Sequence, residues 1–271
     1  MKMQIAEPLA DLRREPRPPS GRYVKDPLQE TQLLYGETII LQREEGPWAF
    51  VEAPEQPKRA AGKWGGYPGW LLKRALAPCF RGREDGYLCV PWAEVSVKEG
   101  GPLSVSLGTS FQIQGREGDL YLVALANGAV GRLPKKYLTS SRLSPEEALQ
   151  IGKSLAGDPY HWGGRSAYYA GREILTGLDC SALVQLLYRL QGVQLPRDAE
   201  DQFLRAELCR KGELVPGDPL FSMTGKKIDH VMLYAGGGRL LESSMGGGGV
   251  RLASLEGRGK LLYAKFLTKS V

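Results

Sequence analysis

The sequence predicts two small all-β barrels followed by an α+β domain. Three observations carry this. From about residue 21 to residue 138, short apolar runs are broken by turn residues, the texture of small antiparallel barrels. That texture occurs twice, and each set closes alike, in Gly69-Trp70-Leu71-Leu72 and in Gly131-Arg132-Leu133-Pro134, which points to a tandem repeat. At Ser144 the spacing becomes helical, and the helices are followed by strands, the order of an α+β domain. A length of 271 residues suits two or three domains.

The first block, residues 1–76, starts with a Pro- and Arg-rich stretch over 1–20 that reads as an irregular leader. Strands are expected over 31–37, 38–42, 48–52 and 67–71, with residues 54–66 as a long charged loop. The second block, 77–141, has its runs at 103–107, 111–113, 121–125 and 129–133. The third block, 142–271, opens on a capping box, Ser144 with Glu147, with Pro145 at the first helical position and Gly157 past the end of the helix. A Gly- and aromatic-rich loop follows at 159–164. A second helix begins at Cys180, with Leu183, Leu186, Leu187 and Leu190 at helical spacing and Gly192 as its C′ residue. Pro216-Gly217-Asp218 turns into a strand. Residues 229–235 and 239–243 form a hairpin about Gly236-Gly237-Gly238, and a last strand is expected over 260–267.

Composition narrows the function. The net charge of +6 comes from scattered Lys and Arg interleaved with acids, so no nucleic-acid stripe is present. No run nears the roughly 18 apolar residues of a spanning helix, and the first residues lack a secretory apolar segment. With Met1 as the native start, a cytoplasmic protein without a membrane partner is expected. The four cysteines (Cys79, Cys89, Cys180, Cys209) have no metal-ligand spacing and read as free thiols; no metal is implied.

The chemistry centres on Asp179-Cys180-Ser181. Asp179 is a good N-cap, and a thiol in the first turn of a helix sits at the positive end of the macrodipole, which favours the thiolate nucleophile. A nucleophile needs a base, and the chain has two histidines. His161 lies in the aromatic loop; His230 opens a strand that is able to cross a helix N-terminus. If the glycine turn has three residues, Glu242 shares a hairpin face with His230 and can orient the imidazole; a two-residue turn puts the two on opposite faces. Without a partner, Glu242 is an ordinary strand glutamate. Cys79 and Cys89 flank a charged turn, and Cys209 is expected on a helix; none of these follows an acid at a helix start.

With these residues in view, the last half of the chain resembles the NlpC-type cysteine peptidases of the papain-like clan. The matching motifs are Pro-Tyr-x-Trp-Gly-Gly at 159–164, Asp-Cys-Ser at 179–181, Leu-Pro-Arg-Asp-Ala at 195–199, Pro-Gly-Asp at 216–218 and Asp-His-Val at 229–231. The tandem β blocks, with Glu30-Thr31-Gln32-Leu33-Leu34-Tyr35-Gly36-Glu37, resemble the subgroup of γ-D-glutamyl-L-diamino acid endopeptidases with bacterial SH3-like domains. The resemblance implies two SH3-like barrels before a papain-like peptidase domain. It implies a murein-peptide substrate with a free N-terminal L-Ala, L-Ala-γ-D-Glu-diamino acid, met in peptidoglycan recycling, and no cofactor. It also implies Cys180 as nucleophile, His230 as base, Asp179 and Ser181 as holders of the substrate amine, and Tyr160 as an oxyanion donor. Glu30 and Tyr67 are the acid and tyrosine that the first β module would add to the amine pocket.

Three departures stand out. The third triad position, usually histidine, is Glu242; the segment 165–178 is longer than usual; and Ala182 replaces the common glycine after Cys-Ser. Two alternatives stay open at this stage: a murein-peptide binding protein whose fold has lost catalytic competence, and a thioester-forming acyltransferase.

Overall fold

The computed structural model describes residues 1–19, 25–79, 86–98, 101–139, 142–170 and 174–266. The first block is a sheet ordered β3-β2-β6-β5-β4-β1-β7. Its strands are β1 (Lys2–Ile5), β2 (Leu9–Arg13), β3 (Gln29–Leu34), β4 (Thr38–Glu45), β5 (Trp48–Ala60), β6 (Lys63–Leu72) and β7 (Leu76–Pro78). Its core is Ile5, Leu12, Leu33, Ile39, Val51 and Leu71.

Two expectations fail here. Residues 1–20 are not an irregular leader, because 2–5 and 9–13 are strands; only the Pro-rich end after Arg13 is irregular. Ile5, Leu9 and Leu12 are buried, so these apolar positions outweigh the flanking Pro and Arg. Nor is 54–66 a loop. It is the outer part of a hairpin of β5 and β6 that pairs out to Ala60 and Lys63, with a register shift between Ala53 and Pro57 that accommodates the prolines.

The second block has β8 (Gly86–Leu88), β9 (Trp92–Val97), β10 (Leu103–Ser106), β11 (Ser110–Phe111), β12 (Ile113–Glu117), β13 (Leu120–Ala124), β14 (Val130–Pro134) and β15 (Leu138–Thr139). They form two sheets, β10-β9-β14-β13-β12 and β11-β8-β15, around Leu88, Val95, Val105, Phe111, Val123 and Leu133. The charged turn between Cys79 and Cys89 spans 80–85, outside the described residues, as does the expected block boundary at 141/142.

The third block has α1 (Pro145–Ser154), β16 (Arg165–Ser166), β17 (Gly177–Leu178), α2 (Cys180–Leu190) and α3 (Ala199–Phe203). It continues with β18 (Ala206–Leu208), β19 (Pro219–Thr224), β20 (Lys227–Gly236), β21 (Arg239–Ser244), β22 (Gly249–Ser254) and β23 (Leu261–Phe266). The larger sheet is ordered β18-β23-β19-β20-β21-β22 and receives α2 on one face. The capping box at Ser144 forms in both directions. Cys209 does not lie on a helix: it follows β18, and its N–H pairs with the Tyr263 carbonyl.

The apolar stripe of α2 is buried with Val231, Leu233 and Leu241 of the sheet. Leu9 and Leu34 of the first block and Leu107 of the second join the same core, so the helix that starts at Cys180 is held by all three blocks. Gly249 fixes another approach. Its φ is +150°, and a Cβ there would lie 1.9 Å from the Asp158 carbonyl oxygen. This closeness lets Val250 N–H donate to Asp158 O at 2.8 Å and Tyr160 N–H to Gly248 O at 3.1 Å, which ties the aromatic loop to the start of β22. Gly249→Ala is expected to destabilise the protein by about 1–3 kcal/mol, because backbone rather than a movable side chain must yield. A thermal melt showing no loss would contradict this packing.

Candidate active site

Cys180 is placed by what comes before it. β17 pairs with β16, and Asp179, in extended conformation, caps α2 by accepting from Ala182 N–H at 2.8 Å. The half-buried Cys180 thiol therefore lies in the first turn. The β20–β21 hairpin is fastened over this end of the helix by Ser243, whose hydroxyl donates to the Leu178 carbonyl at 2.6 Å. His230 on β20 is brought to Cys180, near enough for the thiol to help raise its pKa.

The turn between β20 and β21 has two residues, Gly237 and Gly238, with Gly236 ending β20 opposite Arg239 and all three glycines at positive φ; a two-residue turn alone would put His230 and Glu242 on opposite faces, but a register shift between Tyr234 and Gly236 offsets it. Leu233 faces Leu241, so His230 and Glu242 share one side of the hairpin. His230 Nε2 lies 2.9 Å from Glu242 Oε2. Glu242 is fully buried, and its remaining acceptor sites are also filled. Oε1 accepts from Arg251 Nε at 3.0 Å and Arg258 Nη2 at 2.5 Å, and Oε2 accepts from Arg258 Nη1 at 3.1 Å. Arg251 and Arg258 were not anticipated from the sequence, because nothing local ties either of them to residue 242.

These contacts set the charges. Burial disfavours an imidazolium, but the nearby Cys180 and the hydrogen bond to Glu242 outweigh it and raise His230 to about 9. Burial also disfavours a carboxylate at Glu242, yet hydrogen bonds from His230 and Arg258 hold it at about 2. Tyr160 is raised well above an ordinary phenol by burial first and by Asp179 and Cys180 next, so its hydroxyl keeps its proton beside the thiol. His161 takes no part in this line; burial lowers it below an ordinary histidine.

Asp179 has a larger structural task than a cap. Its Oδ1 accepts from Ala182 N–H, from Ser181 Oγ at 3.1 Å and from Arg197 Nη1 at 3.0 Å. Its Oδ2 accepts from Gly163 N–H at 3.1 Å and from Arg197 Nη2 at 2.7 Å. Ser181 also accepts from Arg197 Nη1 at 2.8 Å. The expected holders of an amine, Asp179 and Ser181, are thus engaged with one another and with a buried guanidinium. Gly163 lies tight against the first block: a Cβ on it would come within 3.2 Å of the Glu30 backbone.

Glu30 and Tyr67 do come together. The Tyr67 hydroxyl donates to Glu30 Oε2 at 3.0 Å, and Asp198 approaches the same hydroxyl at 3.3 Å. Asp198 belongs to the Leu-Pro-Arg-Asp motif but had no role assigned from sequence. The Asp198 side chain remains one-third exposed, unlike that of Asp179. The result is a small acidic cluster of Glu30, Tyr67 and Asp198.

Residues 157–266 match the NlpC/P60 family. The chain is similar to a γ-D-glutamyl-L-lysine dipeptidyl-peptidase of Bacillus subtilis (strain 168), at 29% identity over 238 residues, 85% of this chain and 77% of that protein. A protein of the same name from Bacillus cereus (strain ATCC 10987) is 27% identical, over 79% of this chain and 67% of its own length. The crystal structure of an NlpC/P60 family protein from Bacillus cereus ATCC 10987 superposes with a TM-score of 0.85 at 22% identity, covering 99% of this chain and all of that one, so the three-block fold is shared.

The electrostatics predict a signed pH effect. In an NMR titration, His230 should change charge near pH 9, and Glu242→Gln should lower that value. Because His230 is raised above its ordinary 6.5, its ion pairs stabilise the fold fully below about pH 6.5 and are lost as pH rises through 9. The depressed Glu242 works in the other direction: its contribution is present above about pH 4.5 and lost as pH falls toward 2. A His230 that titrates near 6.5 would contradict the assignment of these contacts.

Proposed function

Starting from a chain whose residues 157–266 form an NlpC/P60 cysteine peptidase domain, we propose that it hydrolyses the γ-D-Glu–diamino acid bond of murein peptides with a free N-terminal L-Ala. The observation that carries the chemistry is the line from Cys180 through His230 to buried Glu242 at a helix N-terminus. The substrate reading is supported by the names of the two Bacillus relatives and by the acidic cluster of Glu30 and Asp198 about Tyr67, whose carboxylates suit an ammonium.

The proposed cycle starts from a thiolate and an imidazolium. The Cys180 thiolate attacks the amide carbonyl carbon, and a C–S bond forms. The oxyanion is received by the Cys180 backbone N–H and the protonated Tyr160 hydroxyl. His230 gives its proton to the departing amine of the diamino acid as the C–N bond breaks, leaving a thioester. A water molecule then loses a proton to His230 and attacks the thioester; the C–S bond breaks, returning thiolate, imidazolium and the L-Ala-D-Glu product. Glu242 holds the imidazole in orientation and stabilises its charged form throughout. Glu30, Tyr67 and Asp198 set the register by anchoring the N-terminal amine one dipeptide from the scissile bond.

The β5–β6 hairpin is fastened to the third block, since Arg197 N–H donates to Pro57 O at 3.0 Å and Arg59 N–H donates to Asp201 Oδ2 at 2.9 Å, and in this proposal it closes the amine end of the substrate cleft. A cleft closed at that end admits short peptides. Turnover of free murein peptides, with a cytoplasmic setting, belongs to the same proposal.

Mass spectrometry should detect L-Ala-D-Glu released from L-Ala-γ-D-Glu-L-Lys or its diaminopimelate counterpart, but not from the N-acetylated peptides. Equal cleavage of both forms would remove the amine anchor from the account. Cys180→Ser and His230→Ala should each abolish hydrolysis, with a loss of at least about 10³-fold. Retained activity in either would overturn the assigned roles. Intact murein sacculi should resist the enzyme, and their rapid solubilisation would contradict the closed cleft.

A further inference from the structure

The acidic cluster already contains an ammonium. Lys58, on the outer part of β5, directs Nζ onto Asp198 Oδ2, lies 3.2 Å from the Tyr67 hydroxyl and sits 4.3 Å over the centre of the Tyr67 ring. Its placement is built into the fold. The residues on either side are fixed to the peptidase domain through the hydrogen bonds of Pro57 O and Arg59 N–H just described, so the Lys58 backbone is held at the cluster. The other carboxylate is paired as well: Glu30 Oε1 accepts from Arg14 Nε at 2.6 Å, and Arg14 lies two-thirds exposed. The acids that would anchor a peptide ammonium thus each carry an internal cation.

The geometry points to Lys58 as an internal competitor for the amine subsite, a specificity-determining residue that a substrate's terminal ammonium displaces from Asp198 and Tyr67. This rests on the amine-anchor reading above. Both partners are accessible enough for the exchange, since the side chains of Lys58 and Asp198 are 28% and 34% exposed. An ammonium on a flexible stem is free to move back to solvent when another arrives. The exchange replaces one ion pair by another, so the cluster gains little from a lone ammonium. Net affinity then comes from ligands whose remaining atoms also fit the cleft. Free amino acids and unrelated amines are poor competitors for such a site, whereas a peptide that reaches from the cluster to Cys180 is a good one.

The test is steady-state hydrolysis of L-Ala-γ-D-Glu-L-Lys and of its N-acetylated form by the full chain, comparing wild type, Lys58→Met and Lys58→Arg. Removing a partly exposed competing charge should lower KM for the free-amine peptide by about three- to fivefold. Lys58→Arg, which restores a cation, should return KM toward wild type. If Lys58 is only an anchor for the hairpin, Lys58→Met instead lowers Tm and raises KM, and that result overturns the inference, as does an unchanged KM. The N-acetylated peptide separates the two levels. If wild type cleaves it as well as the free peptide, the amine anchor itself fails. If only the free peptide is cleaved and KM does not fall in Lys58→Met, the anchor stands and the role of Lys58 is refuted.

Discussion

A single buried guanidinium, that of Arg197, ties together the parts that make this site. It holds both oxygens of Asp179, and through them the cap of the helix that carries Cys180. It reaches the Gly164 carbonyl at 3.4 Å, and its Nε donates to Thr31 Oγ1 of the first block at 2.6 Å. Its backbone N–H is bound to Pro57 of the long hairpin. A cation with almost no exposure is tolerable only with a partner of this quality; deleting one member of such a pair costs about 3–5 kcal/mol. The helix cap, the glycine loop and the seating of the first β block therefore depend on one residue. A second buried pair, Arg165 with Glu37 at 2.5 Å, repeats the device a short distance away and again joins the peptidase domain to the first block.

The site divides its charges into two groups with different work. Around Glu242, one buried carboxylate gathers an imidazolium and two arginines, all of them on or next to the β20–β22 sheet. This arrangement answers the question raised by an acid at a position where the family usually has histidine. Glu242 is neither solvated nor isolated, and its charge is kept by donors that fix its orientation. Around Asp198, the charged side chains of Lys58 and Asp198 are partly exposed while Tyr67 is buried, and the groups come from two different blocks. Fully buried charge gathers at Glu242, and partly exposed charge at Lys58 and Asp198.

How much of this was legible in the sequence follows from how local each signal is. The capping box at Ser144, the N-cap at Asp179, the leucine stripe after Cys180 and the two-set β texture are decided within a few residues, and the corresponding elements form as read. The pairing of His230 with Glu242 was expected to need a three-residue turn; the turn has two residues, and the register shift just before it, which no local signal announced, puts the two side chains on one face. The outer hairpin over 54–66 was misread because its charges looked like those of a solvated loop, whereas the Lys58 ammonium finds Asp198 and the Arg59 backbone N–H finds Asp201, about 140 residues away. The strands at 2–5 and 9–13 were hidden by neighbouring Pro and Arg. The pairing of Asp179 with Arg197 was not legible because Arg197 lies in another loop. No spacing rule connects residues 251 or 258 with 242. In each miss, the deciding partner was distant in the chain.

The most direct test of the account is a crystal structure of the Cys180→Ser variant with L-Ala-γ-D-Glu-L-Lys bound. The account predicts the peptide ammonium among Glu30, Tyr67 and Asp198, Lys58 moved off Asp198, and the γ-glutamyl carbonyl carbon next to the residue 180 hydroxyl with its oxygen toward Tyr160. A peptide bound with its amine in solvent, or with its γ-glutamyl bond away from residue 180, would contradict it.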